Sequence, residues 1–344
     1  MPVVAPINYY RSIKVGARGS SLSIAQTLGV IERLKQQHPE LLFEFIPIKT
    51  SGDDPKSSPY GHQGLKGLFV KEIETALLKK EIDLAVHSAK DLASELPAGL
   101  ILGPALERAE PWDVTVSSSS LSLASLPIGA KVGTSSLRRQ FFIKAFRRDL
   151  DIQPLRGNVE TRLKKVGQTY SAIILAKAGL SRLNIQAPHL QVEIIPPEIM
   201  LPSPGQGQLA LEFRADNDFI HSLVKPLNHL LSALAMEAER AFMRRLGLGC
   251  TEPVAALCTV VPKCSLVMKA ALVEVSKMKV IRAEKSCTLD INVPLFTTDR
   301  ELTWSEKISP NKDNLLKANE LGKAVASSIM DKASDDFKAA HIHE

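Results

Sequence analysis

Apolar residues recur along the first half of the chain in short runs separated by helical patterns. Residues 13–15 read as a strand, 16–21 as a loop and 22–37 as a helix. In that helix Leu22, Ala25, Leu28, Ile31 and Leu34 stand near helical spacing, and Pro39 closes it. A second strand is predicted over 42–48. Residues 50–67 are rich in Gly, Ser, Pro and Asp and read as a long loop, of a length that in compact domains is usually functional or disordered. Residues 68–80 are amphipathic, with Phe69, Ile73, Ala76 and Leu77 on one face. A third strand over 82–86 runs into His87-Ser88-Ala89-Lys90-Asp91.

The pattern then recurs. Lys14-Val15-Gly16 is echoed by Lys131-Val132-Gly133, each ahead of a Ser-bearing loop and a helix. Phe45-Ile46-Pro47-Ile48 is echoed by Ile152-Gln153-Pro154-Leu155, and 82–86 by 172–175. A twice-repeated strand–helix–strand–helix–strand order predicts parallel sheets covered by helices. Two such lobes leave a cleft between them, where ligands sit at strand C-termini. Residues 201–208 read as a segment crossing between lobes. A long helix is predicted over 227–246, with Gly247 as its terminating residue. Residues 254–287 alternate apolar and polar, 293–314 show little periodicity and read as a loop, and 315–332 form an amphipathic helix. Together these predict a small third α/β domain.

Composition is that of an ordinary water-soluble chain: 44% of the 344 residues are apolar and 23% charged, enough for more than one core. No apolar run approaches the roughly 18 residues that span a membrane. Residues 1–12 carry no secretory or basic transit pattern, so a cytoplasmic location is expected. The net charge of +6 fits nucleic acid, a membrane surface or an acidic small molecule equally well. Aromatic residues make up 5%, which leaves few stacking platforms for single-stranded nucleic acid. Cys250, Cys258, Cys264 and Cys287 show no C-x-x-C spacing, so neither a zinc site nor a disulfide framework is expected.

Four motifs carry candidate chemistry. In 132–140, Thr134, Ser135 and Ser136 can cap a helix whose N-terminus favours an anion. Arg138 and Arg139 add guanidinium forks there. In 155–162, Arg156 and Arg162 flank the Gly157-Asn158 turn, while Arg18 and Ser20 stand at the matching place after the first strand. Arginines at three separate strand ends point to a polyanion cleft. Asp91, beside Lys90 and among arginines, should be ionised, suited to hold a cation or move a proton. Cys250 follows Arg244, Arg245 and a Gly-bounded turn, the setting of an activated thiolate. Each motif taken singly also has an ordinary reading: a capped helix with solvated arginines, a capping Asp, a small buried Cys. Residue types and spacing reach a two-lobed α/β protein that binds a polyanion, without naming a reaction.

Together these motifs resemble the porphobilinogen deaminase (hydroxymethylbilane synthase) family. The matching stretches are G-A-R-G-S with Gln26, L-K-G-L-F-V-K-E-I-E, D-L-A-V-H-S-A-K-D, V-G-T-S-S-L-R-R-Q, L-R-G-N-V-E-T-R and A-I-I-L-A-K-A-G-L-S-R-L. P-G-Q-G, A-E-R-A-F and G-C follow in the family's order, from about 13 to about 253. The resemblance implies two lobes like those of periplasmic binding proteins plus a small C-terminal α/β domain. Residues 1–106 with 206–225 would form the first lobe, 107–205 the second, and 226–344 the cofactor-attachment domain.

It further implies a cytoplasmic, monomeric transferase of heme biosynthesis, with no nucleic acid, membrane or metal partner. Such an enzyme joins four porphobilinogen units, each losing ammonia, into linear hydroxymethylbilane on a dipyrromethane primer. That primer would be joined by thioether to Cys250. Asp91, Lys90 and Arg18 match the catalytic positions. Ser20, Lys66, Ser88, Thr134, Ser136, Arg138, Arg139, Arg156 and Gly157 match the cofactor contacts, and Arg18, Phe69, Arg156, Arg162 and Arg182 the substrate contacts. Lys66, Gly67 and Phe69 match a mobile covering loop. The chain departs from the family pattern at His62, Trp112, Glu160, Leu248 and the Leu92-Ala93 pair after Asp91. The reading from another class is a two-lobed anion-binding protein without catalysis, which would need no particular cysteine.

Overall fold

The computed structural model describes residues 12–53, 70–118, 121–185, 188–248, 253–261, 264–290, 312–335 and 337–338. The chain opens with β1 (Ile13–Arg18), α1 (Ser21–Gln37), β2 (Phe43–Ile48), α2 (Lys71–Leu78), β3 (Leu84–Ser88) and β4 (Leu100–Leu102). It crosses to β5 (Asp113–Ser117), β6 (Lys131–Gly133), α3 (Leu137–Phe146), β7 (Asp151–Gln153), α4 (Val159–Leu163), β8 (Ala172–Ala176), α5 (Lys177–Arg182) and β9 (Gln191–Ile194). It returns through β10 (Leu209–Arg214) and α6 (Asp218–Val224), then enters α7 (Leu230–Leu246), β11 (Val254–Val261), β12 (Ser265–Glu274), β13 (Lys279–Thr288) and α8 (Lys312–Lys332).

The two large sheets have one topology. Their strand orders are β2-β1-β3-β10-β4 and β7-β6-β8-β5-β9. Registers match as well: Val15 pairs with Phe45 and Leu84, while Val132 pairs with Ile152 and Ala172. The repeat read from the sequence is therefore a repeat of structure. The sheets are mixed, however, and not parallel throughout. In each, the strand arriving from the other half, β10 or β5, runs antiparallel to its neighbour. A short run such as Asp113–Ser117 carries no sign of so distant a partner. The double crossing at 103–112 and 195–208 makes the two lobes and a hinge between them.

Burial fixes the faces. On α1 the buried residues are Gln26, Thr27, Val30, Ile31 and Leu34, while Leu28 is half exposed. The expected stripe of residues three apart drifts about 60° per step around a helix of 3.6 residues per turn, so it cannot stay on one face. On α2, Ile73, Ala76 and Leu77 are buried as expected. The strand at 13–15 continues through Gly16 to Arg18, so less of 16–21 is loop than its glycines suggest. The expected loop at 293–314 ends in the first turn of α8, and the rest of it, like 54–67, lies outside the described residues.

The third sheet, β11-β12-β13, is antiparallel and covered on both faces. Val254, Ala256 and Cys258 face α7 and α8, whereas Ala255 and Leu257 face the core of the second lobe beside Phe142. Alternation here sorts two buried faces, not a wet one from a dry one. α7 and α8 cross closely at Gly322, where a Cβ would stand 2.1 Å from the Ala238 carbonyl oxygen. α7 ends at Gly247, whose φ of 68° is the left-handed terminator expected of it.

Candidate active site

Both lobes present the same device at their facing strand ends. After β1, Ser20 caps α1, its hydroxyl accepting from the Ser23 N–H at 3.3 Å. After β6, Ser136 caps α3, accepting from the Arg139 N–H at 3.4 Å. Thr134, buried, accepts from the Ser136 N–H at 3.2 Å and tightens that turn. Each helix N-terminus thus meets the cleft with unpaired N–H groups and its positive dipole end. A pocket of about 370 Å³ lined by Gly19, Ser20, Pro47, Ile48 and Lys49 opens beside the first cap.

Asp91 ends a short 3₁₀ turn, Ala89–Asp91, directly after β3. It caps no α-helix, and among the described residues its carboxylate has no hydrogen-bond partner. Ser88, the last residue of β3, is held through its hydroxyl by the Gln26 amide at 3.3 Å. Lys90 is partly buried. Burial pulls its ammonium below the usual value against the pull of Asp91, and Arg139 and Arg138 of the second lobe push it lower still. The Asp91 turn therefore lies within reach of the opposing lobe.

The arginines divide into two kinds. Arg138 and Arg139 are buried, and both bind Asp113, the first residue of β5. Arg138 Nη2 lies 2.7 Å from Asp113 Oδ2, and Arg139 Nε 2.9 Å from Oδ1. Their remaining groups serve the backbone, with Arg138 donating to the Leu201 carbonyl and Arg139 to that of Ile174. Burial alone would raise the Asp113 carboxyl, but the two guanidinium groups hold it below the usual carboxylate range. One carboxylate against two guanidinium ions leaves a net positive charge at the base of the cleft. Sequence reading missed Asp113, because nothing within its own motif reveals partners 25 residues away.

Arg18, Arg156, Arg162 and Arg182 are placed differently. Arg18 is the last residue of β1, and Arg156 is exposed beyond β7. Arg162, on α4, donates through Nε to the Gly157 carbonyl at 2.7 Å. Its guanidinium is lowered to about 10 by burial, then by the charges of Arg139 and Arg18. Groups from both lobes thus repel one another in one space, which an anion would relieve. Arg182 sits apart, donating to the Gly207 carbonyl of the hinge at 2.6 Å. Lys66, Phe69 and Cys250 lie outside the described residues.

The hinge touches the site directly. Gly205 (φ 74°) packs so that a Cβ would lie 2.9 Å from the Lys90 backbone nitrogen, a close approach in a left-handed conformation that suits only glycine. Behind it Glu239 of α7 binds Arg108 at 2.6 Å, the Gly205 N–H at 2.6 Å and the Cys258 N–H at 2.8 Å. One buried carboxylate therefore ties both crossing segments to the third domain. Among the described residues no cluster of metal-ligating side chains forms, and no helix is long and apolar enough to cross a membrane.

Comparisons with known proteins follow the same outline. Residues 13–222 match the family model "Porphobilinogen deaminase, dipyromethane cofactor binding domain", and 233–331 match "Porphobilinogen deaminase, C-terminal domain". The chain is 43% identical over 273 residues to a porphobilinogen deaminase of Nitratidesulfovibrio vulgaris, covering 79% of this chain and 86% of that one. It is 45% identical over 275 residues to one of Thermus thermophilus, covering 80% and 89%. Among solved structures, the periplasmic aliphatic sulphonate binding protein SsuA of Escherichia coli aligns with a TM-score of 0.39 at 16% identity, over 68% of this chain and 70% of that one.

Proposed function

The chain belongs to the porphobilinogen deaminase family, and from that premise we propose how its own residues perform the reaction. The reaction joins four porphobilinogen units, with loss of ammonia, into linear hydroxymethylbilane in tetrapyrrole synthesis. When bound, dipyrromethane supplies the primer pyrrole on which that chain is built. The residues present suit such a group. Each pyrrole carries an acetate and a propionate, and the cleft offers two helix N-termini and cations from both lobes whose charges act on one another.

In this reading Arg18, Arg156 and Arg162 bind carboxylates of the substrate and the growing chain. Ser20, Ser88, Thr134, Ser136 and Gly157 complete the contacts, and Lys66 and Phe69, outside the described residues, keep the cofactor and substrate roles that the resemblance implies. Arg138 and Arg139 act from behind, as a charge fixed by Asp113. Loss of ammonia leaves a positive charge on the incoming unit. The Asp91 carboxylate, held by no protein donor among the described residues, is the group that stabilises it and takes the proton released on bond formation. Lys90, with its ammonium lowered, assists by holding or returning that proton. Arg182, held on the Gly207 carbonyl, is the remaining substrate contact in this reading. Cys250 is the attachment point we assign to the primer. We keep the division into 1–106 with 206–225, 107–205 and 226–344, and read the working unit as a cytoplasmic monomer with no nucleic-acid or membrane partner.

The observation that carries this reading is that the Asp91 turn directly after β3 faces the second lobe, where Arg138 and Arg139 are fixed on Asp113 and act on Lys90 beside Asp91. Intact mass of the purified protein tests it. The expected excess equals two porphobilinogen units less two ammonia molecules, and Cys250→Ala should lack it. An adduct mapped to Cys258, Cys264 or Cys287 would move the attachment point. Asp91→Asn should retain the adduct and lose nearly all turnover, and near-normal turnover would remove Asp91 from its role.

A further inference from the structure

Beneath α2 the first sheet carries charged groups that the reaction does not use. Ala210, Glu212 and Arg214 of β10 alternate onto the face that α2 covers. Above them Val70, the N-cap of α2, lies on one side of the helix with Glu74 and Leu77. Contacts fix both ends of this alignment. Val70 packs with Ala210, and Arg214 donates to the Leu77 carbonyl at 2.8 Å. Glu74, between them, is therefore set over Glu212. Beside Glu212 is His87 of β3, paired in register with Ala210, its Nε2 2.9 Å from Glu212 Oε2.

Glu212 is fully buried and His87 nearly so. Among the described residues neither oxygen of the Glu212 carboxylate accepts a hydrogen bond, since His87 stands close but off the axis of one. Buried acceptors of this kind call for a donor. The other charged groups that face α2 are placed elsewhere. Arg214 also donates to the Ile82 carbonyl and lies beside Asp83. On α2 itself Lys71 is exposed, and Glu72 accepts from the Ser51 N–H at 3.0 Å. Lys14 and Arg18 stand towards the two ends of β1, and β4 brings only Leu100 and Leu102. Glu74 remains, and a carboxyl donates when it holds its proton. Burial, then the charge of Glu212, raises the Glu74 carboxyl above its usual value, with His87 pulling the other way. The seat of α2 also bears on the reaction. Val70 packs with Ala89 and Leu92, the residues on either side of Lys90-Asp91.

We propose that the Glu74 carboxyl donates a hydrogen bond to the Glu212 carboxylate beside His87, and that this bond seats α2 so that Val70 holds the Asp91 turn in place. Glu74 and Glu212 are then positioning residues for Asp91. This role rests on the functional reading above. The sign of its pH dependence follows from the raised Glu74 carboxyl. The seat is complete below the usual carboxyl value and is lost as pH rises through the folded value, where two carboxylates come to face each other under α2.

The test compares kcat and KM of Glu74→Gln and Glu74→Ala with the parent across pH, with thermal denaturation to check that each folds. A glutamine amide donates at every pH. Glu74→Gln should therefore match the parent kcat at low pH and exceed it as pH rises, by up to about tenfold, the scale of one hydrogen bond to a charged group. Glu74→Ala should lose about as much kcat at low pH with KM within about twofold, as expected when the reacting geometry suffers and substrate binding does not. A ratio of Glu74→Gln to parent that stays flat with pH would overturn the hydrogen bond, and parent-like kcat in folded Glu74→Ala would overturn the link to Asp91. A lowered thermal midpoint with kcat and its pH dependence unchanged would overturn both, leaving the pair a structural one. Should Glu74→Ala fail to fold, the pH dependence of Glu74→Gln still decides. Failure of the parent chain itself to make hydroxymethylbilane would instead fall on the functional reading.

Discussion

At the scale of single residues, a motif marks where a charge is but not what it answers to. The Arg138-Arg139 pair reads in the sequence as two free forks in a cleft, yet both close on Asp113. Substituting Asp113→Asn would leave two buried guanidinium groups facing a neutral amide. Breaking a buried pair in this way costs about 3–5 kcal/mol, which urea denaturation would register as a lowered midpoint, and an unchanged midpoint would contradict the assignment. The pH dependence has a definite sign. The folded carboxyl is held below its usual value, so its contribution is complete above the unfolded pKa near 3.9 and is lost as pH falls through the folded value. The cysteines give a second case. Cys258 is buried in the third domain's core, and burial, then Glu239, raises its thiol well above the usual range. Iodoacetamide at mildly alkaline pH should therefore spare Cys258 in the native protein and modify it once denatured. Rapid native labelling would mean the core opens there. Trp112, a departure from the family pattern, packs against the second-lobe core.

At the scale of elements, the legible features were those set by near neighbours in sequence. β1, α1, β2, α2 and β3 follow from apolar period, and α7 from its period and its terminating glycine. β5, β9 and β10 went unread because their partners lie in other parts of the chain, so local alternation gives no hint of register. The same limit hid the second buried face of β11 and β12, which looks like ordinary alternation until the second lobe is docked on it. Close packing of helices is equally silent. Gly322 lies unremarked in an amphipathic pattern, yet it lets α8 rest on the Ala238 carbonyl. Gly322→Ala should destabilise the protein by about 1–3 kcal/mol through overpacking, although alanine favours helix more than glycine does. A rise in thermal midpoint would show that the helices part without cost.

At the scale of the molecule, the question is how three packed units share one site, and Glu239 gives the answer. It is 1% exposed, and its carboxylate takes Arg108 from the outward crossing, the Gly205 N–H from the return crossing and the Cys258 N–H from the third sheet. Gly205 in turn presses on the Lys90 backbone, so the third domain reaches the Asp91 turn through one residue. If this carboxylate couples the units, Glu239→Gln should cost about 3–5 kcal/mol, the scale of an opened buried pair. Amide exchange at Gly205 and Cys258 should quicken with it, because both N–H groups lose a charged acceptor. Arg108→Met alone strands the same carboxylate, whereas Arg108→Met with Glu239→Gln does not. The double variant should then be less damaged than the two single losses together, a coupling that a double-mutant cycle in urea measures directly. Strict additivity, with both amides as protected as in the parent, would mean that the hinge is held by packing alone. The lobes would then be free to move without regard to the third domain, and the tie from Glu239 to Asp91 would have no mechanical meaning.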